Sequence, residues 1–211
     1  AASNCRKMKY FIDLGTHYFH GTPYKNGLLQ FEEDGYFGTG LPHPWRVYTF
    51  EPSVHAFAAN KPFLSGIAER FSRFTAINAA VSDHGGTIEF RWCPKNEAGS
   101  NCTGEHIPEV PEDGSIVYPV ESIDIASLTS QVTAEDVNAE IHIKCDIEGS
   151  EFAVLSRLLS LEGVESHVKK IHVEWHDRFW RGKPNHPLIL QTKMAIEERC
   201  RAIGIKLRDR D

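Results

Sequence analysis

Short β-branched and aromatic runs alternate along the chain with longer segments of helical character, the signature of a parallel sheet with helical crossovers. Lys9 to Leu14 reads as a first strand that stops at Gly15, and Pro23 to Glu33 as a helix with Leu28, Leu29 and Phe31 on its buried side. Arg46 to Phe50 is the second strand. It ends at Glu51-Pro52-Ser53, where Pro52 cannot donate to a ladder and Ser53 is suited to cap a helix carrying Val54, Phe57 and Ala58. Pro62 is expected to bend or split that helix. Phe74 to Val81 reads as a third strand, and Thr87 to Trp92, after the turn Asp83-His84-Gly85-Gly86, as an added antiparallel strand. From Pro94 to Gly114 the chain is rich in Pro, Gly, Asn and Glu, the composition of a long surface loop that serves as a lid or stays disordered. Ile141 to Cys145 is a strand, Ser150 to Leu161 an amphipathic helix, Lys170 to Val173 a strand and Pro187 to Ala202 a helix, after which Ile203 to Leu207 opens a last strand.

With 211 residues, 41% of them hydrophobic, the chain has material for one domain with a real core. Lysine and arginine number 23 against 29 acids, a balance of −6, so the surface offers no general attraction to nucleic acid or anionic lipid. No apolar run approaches the roughly 18 residues of a membrane span, and the first seven residues lack the apolar centre of a secretory signal. The five cysteines form an odd set without a C-x-x-C pair. That pattern points to free thiols in a reducing compartment and hence to a cytoplasmic location, with a Cys93–Cys102 bridge as the minority reading.

In an open parallel sheet the ligand sits beyond the carboxyl ends of the strands. Four of these ends carry acids: Asp13-Leu14-Gly15-Thr16-His17, Phe50-Glu51-Pro52-Ser53, Asp146-Ile147-Glu148-Gly149-Ser150-Glu151, and Glu174-Trp175-His176-Asp177. Acids gathered in one crevice repel each other, a cost usually kept for binding hydroxyls, amines or a cation. Glu51 has the position of an acid that accepts both hydroxyls of a ribose. Its distance from Gly15 exceeds the spacing of the NAD fingerprint, and no G-x-G-x-x-G is present, which weakens a nicotinamide reading. Gly15 ends its strand where a side chain would obstruct the approach of backbone to a cofactor. Glu148 and Glu151 also suit the first turn of a helix, where acids favour the dipole, and Lys144 is placed to neutralise these carboxylates.

These stretches resemble the FkbM-type methyltransferases. The resemblance is carried by Phe11-Ile12-Asp13-Leu14-Gly15-Thr16-His17, Tyr48-Thr49-Phe50-Glu51-Pro52, Asn78-Ala79-Ala80-Val81-Ser82-Asp83, Lys144-Cys145-Asp146-Ile147-Glu148-Gly149-Ser150-Glu151 and Ile171-His172-Val173-Glu174. It implies an α/β fold of the Rossmann-like class I methyltransferase type, a mostly parallel twisted sheet with helices on both faces, shortened at the C-terminal strand. It further implies S-adenosylmethionine as cofactor and a hydroxyl, most readily of a sugar or glycan, as methyl acceptor. The residues it places at the cofactor are Asp13, Gly15, Thr16, His17, Glu51, Ala79, Ala80 and Asp146, and Ser53 beside Glu51 is counted with them. One departure stands out: where the family's first loop usually carries a second glycine this chain has Phe19, so the loop must run differently, with Gly21 a substitute. Residues 1–211 are expected to form a single methyltransferase domain, and the early first strand and the end after Arg208-Asp209-Arg210-Asp211 point to a module of a longer polypeptide with neighbouring domains.

A sugar hydroxyl is a poor nucleophile at neutral pH and needs a base, or a cation that lowers its pKa. Asp146, Glu174 and His176 are the candidates for catalysis, and as two oxygens and an imidazole they also suit Mg or Mn. The alternative, that Glu174 and His176 bind acceptor hydroxyls without a metal or that His176 is structural, stays open. So do two other functions, a metal-dependent hydrolase and a noncatalytic nucleotide-binding module. The hydrolase leaves Glu51 without a task.

Overall fold

The computed structural model describes residues 7–19, 27–93, 101–103 and 115–210. Gly21, the first part of the helix expected from Pro23, and most of the expected loop between Pro94 and Gly114 lie outside them. Within that expected loop, Asn101–Thr103 forms a short strand.

The elements run in chain order as β1 (Lys9–Leu14), α1 (Gly27–Glu33), β2 (His43–Phe50), α2 (Val54–Ala68), β3 (Phe71–Ile77), β4 (Ala80–Ser82), β5 (Gly86–Trp92), β6 (Asn101–Thr103), β7 (Ile116–Asp124), α3 (Ile125–Glu135), β8 (Glu140–Cys145), α4 (Glu151–Leu159), β9 (Val168–Val173), α5 (His186–Ile203) and β10 (Lys206–Asp209). Six strands form one sheet in the order β10-β9-β8-β1-β2-β3, every neighbouring pair parallel. A second sheet, β4-β7-β5-β6, is mixed, with β4 parallel to β7 and the other pairs antiparallel.

Side-chain alternation along the strands builds two layers. Tyr10, Ile12 and Leu14 of β1, with Ile141, Ile143 and Cys145 of β8, face a large core closed by Leu128 of α3, Leu155 of α4 and Ile196 of α5. Phe11 and Val47 face the other way, into an aromatic cluster with Phe31 of α1 and Ile67 of α2. The chain therefore has a Rossmann-like α/β fold with helices on both faces of a mostly parallel sheet. Among the described residues the sheet ends at β10, with no antiparallel strand beyond it.

The structure corrects the sequence reading in three places. The run from Phe74 to Val81 is two strands in two sheets, because Asn78 turns its amide onto the carbonyls of Glu51 at 2.8 Å and Pro52 at 3.4 Å and the ladder stops there. Pro62 lies inside a continuous α2. The carbonyl of Ala58 that loses its partner is on the exposed side of the helix, where water replaces the bond. The last strand begins at Lys206, because Gly204 in the left-handed conformation (φ 77°) caps α5 and turns the chain.

Candidate active site

Parallel register brings the strand ends level. Leu14 pairs with Phe50 on one side and Cys145 on the other, and Cys145 pairs with Val173. The next residue on each strand, Gly15, Glu51, Asp146 and Glu174, therefore falls on one rim. The carboxylates that the sequence assigned to separate crossovers meet there.

Asp13 sits two residues inside this rim, fully buried, and beside it on β8 is Lys144, also buried. The lysine Nζ donates to the carbonyl of Gly15 at 2.6 Å and forms ion pairs with Asp13 at 3.2 Å and Asp146 at 3.3 Å. Burial works against the lysine's charge, but the Asp13 and Asp146 carboxylates outweigh it and raise the pKa. Burial likewise opposes ionisation of Asp146, and Lys144 ahead of His176 holds its carboxyl below the usual range. Lys144 thus neutralises Asp13 and Asp146, whereas the sequence set it against Glu148 and Glu151.

Gly15 adopts φ 77°, and a Cβ on it would lie 1.8 Å from the carbonyl oxygen of Asp146. The chain then crosses to β2, with the amides of Gly15 and Thr16 donating to the carbonyl of Phe50. Thr16 turns its hydroxyl inward to the carbonyl of Asp13 at 3.4 Å. His17, at φ 56°, donates its amide to Oε2 of Glu51 at 2.7 Å, while Ser53 donates its amide to Oε1 at 2.8 Å. Two backbone amides thus hold the Glu51 carboxylate in place. Burial nevertheless pushes its pKa up to about 7 against the pull of those amides. Ser53 also caps α2, its hydroxyl accepting from the amide of Ala56.

The first loop runs differently because of two side chains. Phe19 is buried in the aromatic cluster near Phe74, and Asn60 of α2 clamps the loop by donating to the carbonyl of His17 at 2.6 Å and accepting from the amide of Phe19 at 2.8 Å. Sequence reasoning missed Asn60. Its signal was a polar residue four positions after Ala56, on the buried side of α2. Tyr118 was missed too; its hydroxyl accepts from the amide of Val54 at 3.3 Å, and beside it His55 stacks on Trp92, so the second sheet docks on the start of α2. Ala79 is buried in the link after Asn78. Ala80 begins β4 and packs with Phe90 and Val120.

The other half of the rim is built around His176, which is fully buried. Its Nδ1 lies 2.7 Å from Oε1 of Glu151, and Glu151 in turn accepts from the amides of Ile147 and Gly149. Its Nε2 faces Glu148 at 3.3 Å, Glu174 at 3.6 Å and Asp146 at 3.9 Å. Burial disfavours the imidazolium, but Glu148 and Glu151 more than offset this and push the pKa up to about 10. Asp146, Glu174 and His176 bring one ligand atom each within 4.8 Å of one another. Trp175 stacks on Phe152 in the core, and the ring of Trp180 covers Gly149, where a Cβ would stand 2.9 Å from it.

A family model described as the methyltransferase FkbM domain matches residues 43–200. The matched span holds Glu51, Asp146, Glu174 and His176 and leaves out the first loop, where Phe19 departs from the usual pattern. No curated protein and no solved structure matches the chain. No helix among the described residues is long and apolar enough to cross a membrane.

Proposed function

This chain belongs to the FkbM methyltransferase family, and we propose that it is an S-adenosylmethionine-dependent O-methyltransferase acting on a hydroxyl of a sugar or glycan in the cytoplasm. The observation that carries the reading is the Glu51 carboxylate, fixed by two backbone amides on the same rim as Asp146. The fit to the cofactor rests on two further features. Gly15 forms a cradle that any Cβ would fill, and Oδ2 of the buried Asp13 has no hydrogen-bond partner.

When bound, S-adenosylmethionine supplies a sulfonium methyl group that an acceptor oxygen displaces from sulfur. Glu51 would accept the ribose hydroxyls, and the backbone of the Gly15 loop would hold the cofactor beside it. Asp13, Gly15, Thr16, His17, Ser53 and Ala79 shape or support this half of the pocket. Asp146 stands where the two halves meet, held ionised by Lys144. On the acceptor side Glu174 is partly exposed and able to take a hydrogen bond from the incoming hydroxyl, while the imidazole of His176 keeps the crowded carboxylates together. The surplus of acid on the rim also suits a positively charged sulfonium. The sugar acceptor is an inference from the family likeness.

Incubating the protein with S-adenosylmethionine carrying a deuterated methyl group and a panel of glycans, with mass spectrometry of the products, tests the reading. A labelled methyl on an acceptor oxygen, lost in Glu51→Ala, is the expected result. Cofactor binding without transfer to any hydroxyl would favour a noncatalytic nucleotide-binding module. No binding of the cofactor at all would overturn the assignment.

A further inference from the structure

The carboxylates around His176 are too far from its Nε2 for good hydrogen bonds and too near for mutually repelling acids left alone. The distances of 3.3, 3.6 and 3.9 Å to Glu148, Glu174 and Asp146 exceed the usual hydrogen-bond range, and Nε2, fully buried, has no hydrogen-bond partner. The 3.6 and 3.9 Å separations of Glu174 and Asp146 instead fall between the two ligand spacings around a single cation. Ligands about 2.2 Å from a cation stand about 3.1 Å apart when adjacent and about 4.4 Å apart when opposite.

The identity of the facing nitrogen is fixed from behind. Glu151 receives the amides of Ile147 and Gly149, so its carboxylate acts as an acceptor and Nδ1 of His176 must carry the proton that bonds to it. Nε2 is then the nitrogen aimed into the group of acids, and a cation that displaces its proton meets a lone pair there. A carboxylate behind an imidazole in this way orients a metal-binding histidine and raises its basicity. The two observations are independent, one concerning the spacing of the acids and the other the orientation of a buried base.

We propose that Asp146, Glu174 and Nε2 of His176 form a binding site for one divalent cation, with Glu151 as the positioning residue that sets the histidine tautomer. Two carboxylates and one imidazole, with Glu174 partly exposed to admit water, favour Mn2+ over Mg2+, because the nitrogen ligand suits the softer ion. At the acceptor side of the rim the cation acidifies the acceptor hydroxyl. That role rests on the methyl-transfer reading, whereas cation binding does not.

The test is a titration of the full chain with Mn2+, following the electron paramagnetic resonance signal of the free ion. One saturable equivalent is expected, weakened roughly 10- to 100-fold in Glu174→Gln and in His176→Gln. Glu174→Gln keeps the fold in view, since its side chain is partly exposed, and circular dichroism melts of both variants separate loss of ligand from loss of structure. Mn2+ should raise the melting temperature of the wild type and leave that of Glu174→Gln nearly unmoved. Absence of saturable binding, or equal affinity in Glu174→Gln, overturns the proposal. Calorimetry with S-adenosylhomocysteine in chelator tests the other reading separately: nucleoside binding without Mn2+ binding removes only the metal, and Mn2+ binding without nucleoside binding removes only the cofactor.

Discussion

The ribose role proposed for Glu51 makes cofactor binding depend on pH near neutrality. Burial pushes its pKa from the ordinary 4.5 to about 7, against the pull of the Ser53 and His17 amides and of Lys144. A ribose hydroxyl donates to the ionised carboxylate, so the binding-competent form is the one that has lost its proton. With a pKa near 7 the competent fraction is about one tenth at pH 6 and about nine tenths at pH 8, so the apparent Kd for S-adenosylhomocysteine falls roughly tenfold over that interval, or about 1.4 kcal/mol. Calorimetry at pH 6, 7 and 8 reads this directly, and Glu51→Gln, which cannot ionise, removes the slope. Stability of the ligand-free protein moves the opposite way. A carboxyl whose folded pKa is raised contributes stability fully present below about 4.5 and lost as pH rises through about 7, a change of roughly 3 kcal/mol. A Kd flat between pH 6 and 8, or a slope retained in Glu51→Gln, would refute the assignment of this titration to Glu51.

Gly15→Ala forces a Cβ against the Asp146 carbonyl at 1.8 Å and a left-handed φ on alanine. It should cost about 3 kcal/mol in a urea melt and abolish nucleoside binding; near wild-type values for both would show that the loop is not a cradle. Lys144→Met leaves the buried Asp13 without a countercharge, and urea denaturation at neutral pH should show a loss of about 3–5 kcal/mol, partly recovered by adding Asp13→Asn. No recovery in the double variant would mean the lysine acts by filling space.

The strand ends were legible in the sequence because apolar runs such as Phe11 to Leu14 and Ile141 to Cys145 stop abruptly at glycine or acid, and a parallel register then sets those stops in one row. What a local pattern cannot carry is which sheet a strand joins. The run from Phe74 to Val81 looks continuous, yet a side-chain amide of Asn78 bonded to β2 breaks it, and β4 pairs with β7, about forty residues further on. β7 itself was not assigned, since Pro119 interrupts a run that exposes Ile116 and Val117 and buries Ser122, so its apolar pattern does not follow its faces. The first loop was read as altered from Phe19 alone, but Asn60 on α2, which holds it, is distant in sequence and belongs to no motif. Glu151 illustrates the same limit: a helix-start acid in sequence, it becomes in three dimensions the partner that orients His176.

The crowding of acids on one rim is tolerated because the two halves are neutralised by different means. Around Asp146 and His176 basic groups do it: Lys144 lies against Asp13 and Asp146, and the His176 imidazole against Glu148, Glu151 and Glu174, so these acids share two basic side chains. On the cofactor side Glu51 has only backbone amides as direct partners, with Lys144 acting on it at longer range. Fixed dipoles hold a carboxylate in position without fully compensating its burial, so the pKa of Glu51 rises to about 7; burial raises that of Glu148 as well, whereas Lys144 keeps Asp146 ionised. The division has a mechanistic consequence. In the proposed function, a nucleoside that donates hydroxyl protons to Glu51 would complete an unfinished hydrogen-bond shell, whereas a neutral acceptor arriving at Asp146 and Glu174 would compete with ion pairs already formed. Binding energy is therefore concentrated on the donor, and the acceptor side is left to orient an oxygen.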